Sequence, residues 1–380
     1  MSSEPQVPRV LFVSKPIVPP WSDGSKCLVR DIATNLQAMQ GVVMSTGAMS
    51  AGALPSSVAT RVVYKNRGGF APTLQDNARV LLHLLLTRQA ELWHFVMAPN
   101  ARTCSVARAL RRVRSVPVVQ TIASQPRSFE NMTGLLFGDV VVAQSHWTRD
   151  RVLAALPAAQ GIEVQVIPPP VGNVVEPDAH RVAAVRAQFG IAEGVPLFLY
   201  PGDLEVSQGA QIMASLVEPL VRAIPDAVVF FACREKTPHA VTVRAQLEAR
   251  LHGAPVRFAG ELSDFPALVK AATAVLFPVD DLYGKVDLPI ALLEALLLGV
   301  PVVALAQGPL LDLRGGAQLV EPGDTGGWVS TCTRLRQDAG FLLDVRERGR
   351  SFVTTHHDAR TVAAKYERIY QRLLAPTALA

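Results

Sequence analysis

Short apolar runs alternate along the chain with longer stretches whose apolar positions return at helical spacing. The run VPRVLFVSKP (7–16) is β-branched and is stopped by Pro16, which predicts a buried strand. The loop IVPPWSDGSKC follows, and LVRDIATNLQAM then puts Leu28, Ile32, Ala33 and Leu36 on one helical face. Strand, glycine-bearing loop and helix open an α/β domain. Further strands are predicted at 60–64, 91–96, 116–121, 139–143 and 163–167, with helices at 74–89, 102–113 and 147–155. This alternation predicts a parallel sheet covered on both faces.

Three consecutive prolines in VIPPPVGNVVEP (166–177) continue neither strand nor helix, so this is the clearest linker. The alternation then restarts. Strands are predicted at 196–200, 227–232, 255–259, 273–277, 300–305 and 317–320. Helices are predicted at 209–223, 237–252, 264–272, 325–339 and 340–353, before the closing stretch HHDARTVAAKYERIYQRLL (356–374). A chain of 380 residues is too long for one ordinary core. The expected division is an N-terminal α/β domain over 1–172, a second over 173–355, and a closing segment over 356–380. Ligands in such sheets bind outside the carboxyl ends of the strands, and a cleft between two facing domains is the default site.

A hydrophobic content of 49% against 18% charged residues describes a well-packed globular protein. There is no low-complexity tract, and no disordered tail is expected beyond the first eight residues and the last few. The greasiest stretches, VLLHLLL (80–86) and ALLEALLLGVPVVALA (291–306), are too short or too interrupted to reach the roughly 20 apolar residues of a membrane span. The opening MSSEPQVPRV is polar and carries an early acid, unlike a signal peptide. Cys27, Cys104, Cys233 and Cys332 stand far apart and form no CxxC, so they read as reduced thiols of a cytoplasmic protein without disulfide or zinc. Charge is uneven. Residues 1–176 hold 17 Lys/Arg against 10 Asp/Glu, and residues 177–380 hold 20 against 22. A basic half suits an anionic partner or is an ordinary solvated surface. Nucleic acid is not expected, because no basic stripe interleaved with aromatics is present and aromatic content is 6%.

The stretch LYGKVDLPIALLEALLLGVPVVAL (282–305) carries the sharpest chemistry. Glu294 stands in an apolar helix, and its carboxylate needs a side-chain or ligand partner. Asp287 reads as a cap and Pro289 as an early helical residue, so the amides of Leu288, Ile290 and Ala291 would face an anion such as a diphosphate. Lys285 stands within reach of the same anion, or in a solvated loop. In WSDGSK (21–26), Gly24 permits close backbone approach while Ser25 and Lys26 sit near a helix start. His94 follows a strand with Asn100 nearby; it is either a proton shuttle or a core histidine. Ser124 and Arg127 follow the next strand. Arg108, Arg111 and Arg112 share a helical side that would touch anionic lipid or lie in solvent. Asp280 and Asp281 lack the spacing and company of a metal site.

Two Rossmann-like halves, VIPPPV between them, the strand-loop YPGDLEVSQGA and the P…LLEALLLGVPVVA segment together resemble the GT-B glycosyltransferases, and within them the retaining glycosyltransferase family 4. The opening FVSKPIVPPWSDGSKCLVRDIA and the ending YERIYQRLL resemble that family's N-terminal loop and its last helix, which crosses back onto the N-domain. The resemblance covers residues 9–374. It implies two Rossmann-like domains facing across a cleft, with a nucleotide diphosphate sugar on the C-domain. The acceptor, a glycan, lipid-linked glycan or small molecule, falls to the N-domain, and no catalytic metal is needed. Glu294 matches the second Glu of the family's E-x7-E pattern, which accepts from the donor ribose hydroxyls. The position of the first Glu is Val286, and the motif reads K-x-D-x-P-x4-E, so its task passes to Asp287 or is lost. In the loop after strand 196–200, Asp203 and Gln208 stand where the family commonly carries Arg and Lys against the leaving diphosphate. Gly202 and Gly209 still fit a tight loop beside a ligand. The resemblance thus implies a hexosyltransferase-type enzyme of glycan biosynthesis, cytoplasmic and in peripheral contact with the inner membrane face where the acceptor is a lipid. The alternative from the altered motifs is a GT-B binding or scaffold protein without catalysis.

Overall fold

The computed structural model describes residues 7–47, 49–50, 52–65, 72–87, 90–157, 161–172, 174–235 and 237–375. Most of the expected N-terminal tail (1–6), the last five residues and the end of the helix predicted over 74–89 lie outside the described residues. In chain order the elements are β1 Arg9–Val13, α1 Gly24–Asn35, β2 Gln40–Thr46, β3 Ala59–Tyr64, α2 Leu74–Leu86, β4 Leu92–Met97, α3 Ala101–Val113, β5 Val118–Ile122, α4 Met132–Leu135, β6 Val140–Ala143, α5 His146–Ala154 and β7 Val164–Val166. They continue with α6 Ala179–Gln188, β8 Leu197–Tyr200, α7 Gly209–Ala223, β9 Val228–Ala232, α8 Pro238–Arg250, β10 Val256–Ala259, α9 Phe265–Ala271, β11 Ala274–Phe277, α10 Ile290–Leu297, β12 Val302–Leu305, β13 Gln318–Val320, α11 Thr325–Gln337, α12 Ala339–His356 and α13 Ala359–Leu374.

Two compact units result. The first takes the described residues of 1–172, 284–287 and 357–380; the second takes those of 173–283 and 288–356. Residues 284–287 therefore group with the first unit, although the sequence reading gave the whole stretch 173–355 to the second. The first unit holds a parallel sheet of order β3-β2-β1-β4-β5-β6-β7, and the second a parallel sheet of order β10-β9-β8-β11-β12-β13. Both are Rossmann-like, with the order reversing beside the first strand of each unit.

The strand pattern follows from two-sided burial. Val10 and Phe12 of β1 enter one core while Leu11 and Val13 enter the core on the opposite face. The first of these cores also takes Val362, Tyr366, Ile369 and Tyr370 of α13, which packs against α1. Both tyrosines are fully buried, a placement worth roughly 1.5–3 kcal/mol for each large apolar side chain. Glu367 on the same helix accepts from the amides of Gln37 and Ala38, at 2.7 Å each, and so ties α13 to the turn after α1.

Three of these elements depart from the sequence expectation, the first being the short α4, in a stretch where no element was predicted. The helix predicted to run on through Met39 stops at Asn35, where Leu36 turns extended, and QGVVMST becomes β2. Residues 179–188 form α6, capped by Asp178 onto the Arg181 amide, where no element was expected. Among the described residues no helix is long and apolar enough to cross a membrane. All four cysteines are free and buried.

Candidate functional site

The helix α10 follows β11 and a loop that ends in Pro289 at its N-cap, where no side chain caps the helix. The bonds that reach back into the turn run from the amides of Leu292 and Leu293 to the Pro289 carbonyl. The amides of Leu288, Ile290 and Ala291 have no acceptor among the described residues. A helix start with open amides carries a partial positive charge and suits an anion. Glu294 lies one turn further on, half-buried, on a helix whose Leu292, Leu293, Ala295 and Leu296 are buried.

Asp287 does not cap this helix. It is fully buried and belongs to the first unit, where its Oδ2 accepts from Ser145 Oγ at 2.8 Å. Ser145 is itself the N-cap of α5, its Oγ accepting from the Thr148 amide at 3.0 Å. Lys285, also of the first unit, is half-buried.

The loop between β8 and α7 has the opposite character to the start of α10. Asp203 is fully buried; its Oδ1 accepts from the amides of Val206 (2.7 Å) and Ser207 (3.0 Å), and its Oδ2 from Ser207 Oγ (3.2 Å). The Gln208 amide donates to Asp280 Oδ1 at 3.0 Å and the Gly209 amide to Ser207 Oγ at 3.3 Å. The chain's own carboxylates and a hydroxyl therefore occupy the loop amides from Val206 to Gly209, and Asp203 serves the loop, while no side chain caps α7. The two glycines have an internal cause. A Cβ on Gly202 would lie 2.0 Å from Cζ of the buried Tyr200, and one on Gly209 would lie 2.6 Å from its hydroxyl. That hydroxyl donates to the Asp203 carbonyl at 2.9 Å.

In the first unit Gly24 opens α1, but the cap is Asp23. Asp23 Oδ1 accepts from the amide (2.9 Å) and hydroxyl (2.5 Å) of Ser25, and Oδ2 accepts from Lys15 Nζ at 3.0 Å. Burial opposes its charge, but Lys15 and the Ser25 bonds prevail and hold its carboxyl well below the usual range. The helix start proposed for a phosphate is thus already met by an internal carboxylate. Lys26 reaches the Val18 carbonyl at 3.5 Å.

His94 is a core histidine and no proton shuttle at a ligand surface. It is fully buried, with Nε2 2.7 Å from Thr121 Oγ1 and Nδ1 2.7 Å from the Tyr370 hydroxyl, among the rings of Phe12, Tyr366 and Tyr370. Burial drives its pKa down to about 3, so it stays neutral at physiological pH. Asn100 caps α3 by accepting from the Thr103 amide at 3.0 Å. Ser124 is buried and Arg127 exposed in the segment after β5. On α3, Arg108 donates to the Gly134 carbonyl at 2.9 Å, and Arg111 to the Phe137 carbonyl and Asp139. These two arginines hold neighbouring backbone in place, and so are less available to an anionic surface. Asp281 accepts from the Tyr283 amide at 2.7 Å, a local turn.

Sequence reasoning missed Asp23 and Ser145, and weighed Asp280 only against a metal site and not as the acceptor of the Gln208 amide. A D-G-S pattern at a helix start signals the first. The other two meet partners 142 and 72 residues away, beyond any local pattern.

Residues 195–338 match the family described as group 1 glycosyl transferases. A search of curated proteins found no match. Solved structures align along nearly the whole chain. HepE from Anabaena, in complex with UDP and glucose, is 17% identical with a TM-score of 0.74, covering 96% of this chain and 99% of its own. The fold is GT-B. Sucrose-phosphate synthase from Thermosynechococcus elongatus gives a TM-score of 0.75 at 16% identity, covering 97% of this GT-B chain and 100% of the other. The UDP-forming α,α-trehalose-phosphate synthase from Burkholderia xenovorans, in complex with glucose-6-phosphate, gives 0.66 at 14%, covering 95% and 99%. Apart from residues 284–287, the family match falls within the second unit; it spans β8 to α11 and the first residue of the turn after it, and so includes α10.

Proposed function

We propose that the chain is a retaining glycosyltransferase of the hexosyltransferase type. It moves a sugar from a nucleotide diphosphate sugar to a glycan, a lipid-linked glycan or a small-molecule acceptor. One observation carries the reading: α10 opens with uncapped amides at Leu288, Ile290 and Ala291 and presents Glu294 one turn later. The open amides receive the diphosphate, and Glu294 accepts from the ribose hydroxyls, since an ionised carboxylate is acceptor-only and suits a diol. Relatives solved with UDP and glucose, and with glucose-6-phosphate, support a nucleotide-sugar donor and a sugar acceptor on this fold.

The chemistry follows a front-face course. The bond between the anomeric carbon and the diphosphate oxygen breaks as the acceptor oxygen bonds to that carbon from the same face. The departing phosphate oxygen takes the acceptor proton, so no side-chain base is required and a sealed His94 is no obstacle. The developing charge on the leaving group meets the α10 amides. On this course the reaction needs no metal. Slow donor hydrolysis without acceptor is the direct test. Release of nucleotide diphosphate from one donor class, lost on Glu294→Ala, supports the reading, and no release from any donor contradicts it.

A second reading, a GT-B binding or scaffold protein without catalysis, is favoured by the loop before α7. There the amides of residues 206–209 are taken by Asp203, Asp280 and Ser207, and no Arg or Lys stands in place of Asp203 or Gln208. Donor binding without hydrolysis is its signature.

A further inference from the structure

A groove of about 370 Å³ lies within the first unit between β7 and α13. Gln165, Val166 and Ile167 line one side, and Lys365, Arg368, Ile369 and Arg372 line the other. Its charge is one-sided. Arg372 is held by both oxygens of Glu163 at 2.8 Å, whereas Lys365 and Arg368 have no hydrogen-bond or ion-pair partner among the described residues. Positions 365, 368 and 372 fall on one face of α13 and spread positive charge along about 10 Å of helix axis.

The strand side is an open edge. Among the described residues β7 ends the sheet and pairs with β6 alone. The Glu163 carbonyl accepts from the Val141 amide and the Ile167 amide donates to the Ala143 carbonyl, each at 3.0 Å. Residues 163, 165 and 167 thus turn their backbone towards β6, and the alternation of a parallel ladder turns that of Val164 and Val166 outward.

We propose that this groove binds an extended acidic segment of a partner protein, added to the sheet as a strand beside β7. The edge offers a new strand both donors and acceptors at Val164 and Val166. Alternate side chains of an extended peptide recur about every 7 Å on one face, which lets acidic ones meet Lys365 and Arg368 on the face that α13 covers, while the intervening ones turn to the opposite face of the sheet with Val164 and, by the same alternation, Val166. Headgroups of an anionic bilayer match the cations, but they add no strand to the edge and present a flat surface to a concave groove.

The test uses the full chain and a fluorescein-labelled peptide of alternating Glu and Val, six residues long, read by fluorescence anisotropy at low salt. The Lys365→Glu/Arg368→Glu double variant is expected to weaken binding at least tenfold with an unchanged thermal unfolding midpoint. Val166→Pro deletes one outward amide and leaves the bonds to β6 intact, and is expected to weaken binding several-fold. Replacing Glu by Lys in the peptide abolishes binding. Three results overturn the proposal: no binding of the Glu–Val peptide, equal binding by the charge-reversed variant, or displacement of bound peptide by phosphatidylserine vesicles that sediment the wild type but not that variant. The last assigns the groove to lipid.

Discussion

The Tyr370 hydroxyl lies 2.7 Å from Nδ1 of His94, and this single bond joins the last helix of the chain to the fourth strand of the first unit. With Thr121 Oγ1 2.7 Å from Nε2, both ring nitrogens are engaged inside an aromatic cluster. The arrangement suits a neutral imidazole, which donates from one nitrogen and accepts at the other. Its role is to fasten α13.

A pH dependence of stability follows. Native His94 has its pKa lowered from 6.5 to about 3 by burial, so between those values the unfolded chain holds a proton that the native chain lacks. Stability is therefore complete above pH 6.5 and falls as pH drops towards 3, by up to about 1.4 kcal/mol per pH unit. His94→Gln removes this slope. Urea unfolding at pH 7, 6 and 5 reads it as the difference between wild type and variant; identical pH dependence in the two proteins means that His94 is not buried and neutral.

Asp23 caps α1 and pairs with Lys15. Asp23→Ala is expected to cost about 1 kcal/mol at pH 7, the usual worth of such a cap. Asp23→Asn keeps an oxygen for the Ser25 amide and loses only the ionic part. Unfolding midpoints should rank wild type above Asn and Asn above Ala. An alanine variant as stable as the wild type removes the cap from the account.

Gly202 is fixed by a ring. Its missing Cβ would sit 2.0 Å from Tyr200 Cζ, far inside van der Waals contact. Gly202→Ala should destabilise the chain by roughly 1–3 kcal/mol through displacement of Tyr200. Thermal unfolding without ligand separates this from a loss of donor contact. A variant that unfolds normally but fails to bind donor returns the glycine to the ligand side.

These residues show what a local reading reaches. Short continuous apolar runs and proline punctuation made most strands legible, because a strand buried on both faces, as β1 is, reads as an unbroken apolar run. The β2 strand was hidden because QGVVMST follows Leu36 and Met39, whose spacing continues the helical face of α1 and conceals its end. Gly24 and Asp287 were legible as positions beside a helix start, whereas Asn100 was read only as a polar neighbour of His94. What each side chain touches depends on contacts across the sheet. Ser145 lies 142 residues before Asp287, and Tyr370 lies 276 after His94. No spacing rule connects such pairs. Gly202 shows how a motif misleads: its smallness reads as room for a ligand, and the structure fills that room with Tyr200.

The central claim is that α10 holds the donor, and thermal unfolding against UDP-, GDP-, ADP- and dTDP-sugars tests it most directly. At 100 times its dissociation constant, a ligand of the folded state alone adds about 2.7 kcal/mol. The account predicts a clear upward shift with one nucleotide class in the wild type, and none with Glu294→Ala, whose unliganded midpoint stays within a few degrees of the wild type. No shift with any donor, or the same shift in both proteins, would contradict it.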